Sequence, residues 1–102
     1  MLLFVRDPWA TMLRDGRKRW ELRPASGRYG SLRAGSPICV NGRDRYVVRQ
    51  VRNYPTAAAA AKTLGCRVCG FDSPEAAQAT WEALYPSGAA VLAIRLESLS
   101  SR

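Results

Sequence analysis

The residues best suited to chemistry lie close together near the N-terminus, in the stretch DGRKRWELRP, where Lys18 and Glu21 stand three positions apart. A lysine ammonium can hold a phosphate or carbonyl oxygen, or act as nucleophile or base. A carboxylate can carry a proton or accept hydrogen bonds from the edge of a nucleobase. The simpler alternative is a strand salt bridge between Glu21 and Arg19 or Arg23, which the spacing alone favours.

Positive charge is concentrated in one segment of the chain. The 102 residues hold 16 Lys and Arg against 8 Asp and Glu, and residues 14–52 hold eleven of those bases with three acids, 11 − 3 = +8. The rest of the chain is therefore neutral. A localised basic field predicts a polyanionic partner, most often nucleic acid. A genomic bias of arginine over lysine is an equally good explanation of composition alone.

The chain contains no histidine. Histidine-based acid–base catalysis, Ser-His-Asp triads and histidine zinc motifs are therefore excluded. We do not expect a disulfide framework. The chain has three cysteines, an odd number, and no secretory signal precedes them: Cys39, Cys66 and Cys69. Cys66 and Cys69 resemble half of a zinc knuckle or a redox pair, but a structural zinc needs four ligands. We predict ordinary thiols, with no metal and no cofactor.

Arginines and aromatic residues supply the candidate contacts to nucleic acid. Phosphate contacts add salt-dependent affinity, and stacking on an unpaired base contributes ~1–3 kcal/mol. For each residue the alternative is a solvated charge or core packing, the second of which we predict for Trp20 and Trp81. The candidate binding residues are Arg6, Trp9, Lys18, Arg23, Arg28, Arg33, Tyr54 and Tyr85.

Short strands and helices must position these side chains. Caps, turn residues and periodicity predict the order β-α-β-loop-β-β-α-α-β. Asn41-Gly42 is typical of a type I′ hairpin turn. The predicted strands span 2–6, 18–23, 37–54 as a hairpin, and 89–97; the helices begin at Asp7-Pro8, Thr56 and Ser73; the loops span 24–37 and 66–72.

The alternation in KRWELR raises a geometric difficulty. A period of two predicts a strand on which Glu21 shares a face with Arg19 and Arg23, within pairing distance of both. Lys18 then faces the other side of the sheet. Lys18 and Glu21 reach one site only if the chain bends or twists where the strand begins.

Gly16, Lys18, Glu21 and Arg23 form the spacing G-x-K-x-x-E-x-R, after a strand and a short helix with proline and tryptophan. This pattern resembles the signature of the ASCH domain family. YVVRQVRNYPT resembles the family's middle strand, and SPEAAQATWEALYP with AVLAIRLE resembles its closing helix and strand. The resemblance implies a PUA-like β-barrel beside helices, with a cleft lined by the motif. It also implies action on RNA or nucleosides, by binding in some members and hydrolysis in others.

Some positions depart from the family pattern. Gly35-Ser36-Pro37 stands where the family often has Gly-Asp. In the acetylcytidine amidohydrolases of this family the motif reads K-x-x-T, and a further glutamate is present. The resembling positions of this chain hold Glu21 in place of the threonine and no acid in TAAAAAKTLG. These departures weaken that specific hydrolase interpretation.

We therefore predict a single domain over residues 1–102 of class α+β: a small PUA-like β-barrel of about five to six short strands, flanked by two to three helices. The expected function is RNA or nucleotide binding in a basic cleft. The alternative is a ribonuclease or nucleoside amidohydrolase with Lys18 and Glu21 as catalytic residues. A third reading is an adaptor for an acidic protein. No apolar run approaches the ~20 residues of a membrane span, and a cytoplasmic location is expected. The oligomeric state stays open.

Overall fold

The computed structural model describes residues 1–99 as an α+β arrangement of one sheet and three helices, as the class prediction requires. Two short 3-10 turns, Gly27–Ser31 and Arg67–Cys69, lie within the segments predicted as loops. The strands are β1 (Leu2–Leu3), β2 (Trp20–Pro24), β3 (Pro37–Val40), β4 (Asp44–Tyr54) and β5 (Val91–Ser98), and the helices are α1 (Trp9–Arg14), α2 (Ala57–Leu64) and α3 (Pro74–Leu84).

The sheet is open, so the described residues do not form the predicted β-barrel. The strand order is β1-β3-β4-β5-β2, in which β1 runs parallel to β3 and all other pairs are antiparallel. Closure needs a ladder between the two edge strands. Within residues 1–99, β1 and β2 form the edges and no ladder joins them. The strand predicted over 2–6 pairs only at Leu2 and Leu3, which leaves β1 too short to close the sheet.

Local chemistry explains several of the element boundaries. Asn41 and Gly42 have φ values of 55° and 69°, as a type I′ turn requires, so the hairpin prediction is confirmed. Thr56 accepts a hydrogen bond from the Ala59 backbone N–H at 3.0 Å and caps α2. Ser73 caps α3 in the same way.

The two faces of the sheet are covered by different helices. Alternate residues of β5, Leu92 and Ile94, belong to a core that includes α1; we call this side the α1 face. Val91 and Ala93 point the other way, into cores that contain residues of α2, α3 and the Arg67–Cys69 turn; we call this side the α2–α3 face. The edge strand β2 therefore lies between α1 and α3, and a cleft opens there.

Among residues 1–99, none of the helices combines the length and the apolar character that crossing a membrane requires.

Candidate functional site

Lys18 lies before the regular part of β2, where the chain bends. The Lys18 backbone N–H donates to the Met12 carbonyl of α1 at 3.0 Å, and the strand begins only at Trp20. The bend brings the Lys18 Nζ atom within 3.2 Å of Glu21 Oε1. The regular alternation predicted from residue 18 onwards is thus wrong at its first residue, and the two motif side chains meet on one side.

The Lys18 ammonium is buried and fully engaged. Its side chain is 3% exposed, and Nζ donates to the Trp20 carbonyl at 2.6 Å and the Cys69 carbonyl at 2.9 Å, besides its contact with Glu21. An ammonium has three donors, and these three oxygens occupy them. In this arrangement Lys18 joins β2 to the Arg67–Cys69 turn and holds the Glu21 carboxylate in place.

Two cations hold the Glu21 carboxylate. Oε1 faces Lys18, and Oε2 accepts from Arg23 Nε at 2.8 Å, so the predicted pairing with Arg23 is confirmed. Arg19 is exposed, and the predicted pairing of Glu21 with Arg19 is replaced by the pair with Lys18. A carboxylate accepts about four hydrogen bonds, so each oxygen keeps an acceptor position. Glu21 lines the cleft and is a preorganised acceptor there.

Arg23 ties the same carboxylate to the segment directly after β1. Its Nη2 atom donates to the Phe4 carbonyl at 2.8 Å, and its guanidinium lies 5.8 Å from the centre of the Tyr29 ring. Burial acts to lower the pKa of Arg23, but the charge of Glu21 and the hydrogen bonds to Tyr29 and Glu21 outweigh it, so the pKa is raised. The guanidinium stays charged under all physiological conditions.

One wall of the cleft is built by Trp9 and Phe71. The Trp9 indole Nε1–H donates to the Gly70 carbonyl at 2.9 Å, and the Trp9 and Phe71 rings lie 5.9 Å apart. Gly70 has φ of 92°, and a Cβ atom there would lie 2.6 Å from Trp9 Cδ1 and 3.1 Å from Lys18 Cδ. Only glycine allows this close approach. The sequence analysis did not identify Phe71 and Gly70 as site residues. A glycine directly after Cys69 was nevertheless a signal of a tight turn.

The facing wall comes from α3. Trp81 and Tyr85 lie with ring centroids 4.5 Å apart and both line the cleft. Trp81 is 5% exposed, so its predicted core position is confirmed, and it also lines the cleft. Burial raises the pKa of Tyr85, while the nearby Arg23 charge acts to lower it.

The cleft has a volume of about 160 Å³, well below the ~300–1,000 Å³ of sites for drug-sized molecules. Its size suits one base-sized group. Six of the nine residues singled out for the site line it: Arg6, Trp9, Lys18, Glu21, Arg23 and Tyr85.

Three candidate binding residues lie elsewhere. Arg28 donates to the Leu2 carbonyl, and its guanidinium lies 5.5 Å from the centre of the Tyr29 ring. Arg33 is exposed on the surface after the Gly27–Ser31 turn. Tyr54 ends β4 and packs against the α2–α3 cores. None of the three lines the cleft.

The cysteines are free, and within residues 1–99 no group of three or more Cys, Asp or Glu side chains is placed to hold a metal ion. Cys69 is fully buried. Burial raises the pKa of its thiol to about 11, against the opposing effect of the Lys18 charge. The protonated thiol is a poor nucleophile, and Cys69 serves the site through its backbone carbonyl.

The burial of Cys69 predicts a pH-dependent stability difference. The unfolded thiol ionises near pH 9.0, whereas the folded thiol stays protonated until about 11, so rising pH favours the unfolded chain across this window. We expect the stability advantage of the wild type over Cys69→Ala to shrink between pH 8 and pH 11 in urea titrations. A difference that stays constant over this range would contradict a buried, protonated thiol.

The protein thus belongs to the α+β class. It has an open five-stranded sheet with helices on both faces and an aromatic cleft at the β2 edge. The family model for the ASCH domain matches residues 3–98, and the chain belongs to this family. The family is generally connected with nucleic acids.

Solved structures share the fold. The hypothetical protein PH0355, known from a crystal structure, matches with a TM-score of 0.88 at 18% identity, over 96% of this chain and 97% of that one. The solution structure of PF0455 from Pyrococcus furiosus matches with a TM-score of 0.78 at 18% identity, over 98% and 97% of the two chains. No curated protein matches the sequence.

Proposed function

We propose that the protein binds an unpaired base of RNA, or a nucleotide, in the cleft between β2, α1 and α3. The observation that carries the proposal is the Glu21 carboxylate, held between Lys18 and Arg23 in a cleft walled by aromatic rings. A nucleobase presents N–H donors at its edge and a flat apolar face. The cleft offers an acceptor for the first and rings for the second. We also propose that the fold, with this cleft at one edge of its sheet, is PUA-like.

Charge at the rim supports a ligand that carries phosphate. Arg6, Lys18 and Arg23 with Glu21 give the cleft lining a formal charge of 3 − 1 = +2. Lys18 and Arg23 are engaged by Glu21, whereas Arg6 is exposed. Arg6 is thus the lining residue best placed to contact the phosphate of a nucleotide whose base occupies the cleft.

The direct test is fluorescence anisotropy with a short single-stranded RNA at low salt. Glu21→Gln keeps the shape of the side chain and removes its charge. A hydrogen bond to a charged group contributes about 1.5–3 kcal/mol, so we expect affinity to fall at least ~10-fold. Absence of saturable binding, or binding that Glu21→Gln leaves unchanged, would remove the proposal. Circular dichroism of the variant checks that the fold is retained.

Tyr85 and Tyr54 provide a matched test of where the base lies. Both are half-buried tyrosines, but only Tyr85 lines the cleft. If Tyr85 stacks on the base, Tyr85→Leu lowers RNA affinity by about 1–3 kcal/mol in the same anisotropy assay, and Tyr54→Leu leaves it within a few-fold. Equal losses in the two variants would place the base outside this cleft.

The hydrolase alternative uses the same cleft, and the engagement of Lys18 argues against one part of it. A nucleophilic amine needs a free lone pair, but three oxygens surround the Lys18 ammonium. Glu21 keeps acceptor capacity and is the remaining candidate for a proton carrier. Incubating the protein with labelled RNA and with acetylated cytidine tests this alternative. Turnover that disappears in Glu21→Gln would establish the enzyme.

A further inference from the structure

The α2–α3 face of the sheet is only partly covered by its helices, and arginines occupy the open part. Three come from β4, which has eleven residues, and one comes from β5. All four are exposed. We call this surface the arginine face; its members are Arg45, Arg49, Arg52 and Arg95.

Strand register places these side chains together. Gln50 pairs with Arg95 and Val47 pairs with Glu97, so these four residues share one side of the sheet, because opposed residues of an antiparallel pair point the same way. Arg45 lies two residues before Val47, and Arg52 lies two residues after Gln50, on that same side.

The bulge and the buried residues confirm this assignment. The register shift between Val48 and Gln50 leaves Arg49 as the extra residue of β4. The Arg49 side chain forms an ion pair with Glu97, which places it on the same side of the sheet. The residues that point the other way, Tyr46, Val48 and Leu96, are buried in the core of the α1 face.

The arginine face carries uncompensated positive charge. Four arginines with Glu97 give 4 − 1 = +3. Within residues 1–99, no carboxylate lies within ion-pair distance of Arg45, Arg52 or Arg95. By contrast, Arg14, Arg17 and Arg43 of the same basic segment are paired with Asp15 or Asp44. Arg45 and Arg52 are thus unpaired cations of this segment that lie on one face, and Arg95 of β5 adds a third.

The shape of the face suits a phosphate chain and not a base or a protein. A strand rises ~3.3 Å per residue, so Arg45 and Arg52 lie about 20 Å apart along β4. No aromatic ring from residues 1–99 stands exposed among the four arginines to stack on a base. A protein interface has an apolar centre. The arginine face lacks such a centre, because the apolar side chain that β4 places among its arginines is Val47, which is half-buried. Arginine forks match phosphate oxygens in pairs.

We propose that the arginine face binds the sugar–phosphate backbone of RNA, as a surface separate from the cleft at the β2 edge. The proposal rests on the proposed function for the identity of the polyanion. The cleft holds one base, and the arginine face contacts phosphates elsewhere along the same molecule. Affinity then grows with RNA length beyond what a mononucleotide in the cleft provides, and this gain depends on salt.

The test compares two triple variants of equal charge. Arg45→Gln/Arg52→Gln/Arg95→Gln removes three charges from the arginine face. The control, Arg17→Gln/Lys62→Gln/Arg67→Gln, removes three exposed charges that lie on neither surface. Binding of a single-stranded RNA of about 12 nucleotides, of an RNA hairpin and of a fluorescent mononucleotide is measured over a range of salt concentrations.

For the arginine-face variant we expect the slope of log affinity against log salt for the single strand to become shallower by about 2, since each phosphate contact contributes ~0.7. Mononucleotide affinity stays unchanged, and the control keeps the wild-type slope. A change seen with the hairpin and absent with the single strand assigns the face to duplex backbone, and the reverse result assigns it to the single strand; both support the proposal.

Equal loss in the two triple variants would show an effect of net charge alone and overturn the proposal, as would a wild-type slope for both the single strand and the hairpin in the arginine-face variant. A variant that loses affinity for poly-glutamate while its RNA slope is unchanged would assign the face to an acidic protein and likewise overturn it. Failure of the proposed base binding in the cleft gives a different result from failure of the arginine face. Mononucleotide binding is then absent, while the difference between the two triple variants remains.

Discussion

Glu21→Ala is expected to lower the free energy of unfolding by about 3–5 kcal/mol, because it leaves a buried ammonium without its counterion. Lys18 is 4% exposed, and its other partners are the neutral carbonyls of Trp20 and Cys69. Chemical denaturation followed by tryptophan fluorescence measures the loss. The matched control is Glu97→Ala, which breaks an ion pair with Arg49 whose side chains are both 55% exposed, and which should cost less than about 1 kcal/mol.

A double-mutant cycle separates the structural role of this pair from binding. Lys18→Met/Glu21→Gln removes both charges, so we expect it to be considerably more stable than the sum of the two single variants implies. Its RNA affinity should nevertheless remain low, because the negative charge of the acceptor is lost. Simple additivity of Lys18→Met and Glu21→Gln would show that the two side chains do not act as a buried pair.

Gly70→Ala is the second change with a large expected effect, about 2–5 kcal/mol of stability. Alanine at φ of 92° costs about 1–2 kcal/mol, and its Cβ would overlap Trp9 at 2.6 Å, for which overpacking costs a further ~1–3 kcal/mol. Displacement of Trp9 should also weaken RNA binding, since the indole forms one wall of the cleft. Thermal unfolding and the anisotropy assay measure the two effects.

Gly35→Ala is the control for this change. Gly35 has φ of 94°, almost the same as Gly70, but nothing lies within 4 Å of the position its Cβ would take. It should show the backbone cost alone and leave RNA affinity unchanged. If the two alanine variants lost equal stability, the close approach to Trp9 and Lys18 would contribute nothing.

Features that depend on neighbouring residues were predictable from the sequence. The Asn41-Gly42 turn and the caps at Thr56 and Ser73 are confirmed, because a positive φ or a capping hydroxyl is a property of a few adjacent residues. The pairing of Glu21 with Arg23 was predictable for the same reason, since their positions are two apart on one strand.

Features that depend on contacts between distant residues were not predictable from the sequence. The bend at Lys18 is held by the Arg19 N–H, which donates to the Val68 carbonyl at 2.7 Å, and by the Lys18 contact with Cys69, about fifty residues away in the chain. The same applies to the open edge of the sheet, to the wall formed by Phe71, and to the position of Tyr54 outside the cleft.

The sequence by itself determined the α+β class, the family and the pair of charges at the centre of the site, because periodicity, capping residues and motif spacing are local. Only the tertiary structure decided that the sheet stays open, that Lys18 turns inward to Glu21, and that Arg45, Arg52 and Arg95 share one face. Those outcomes follow from strand register and from hydrogen bonds between remote segments, which no local pattern of residues encodes.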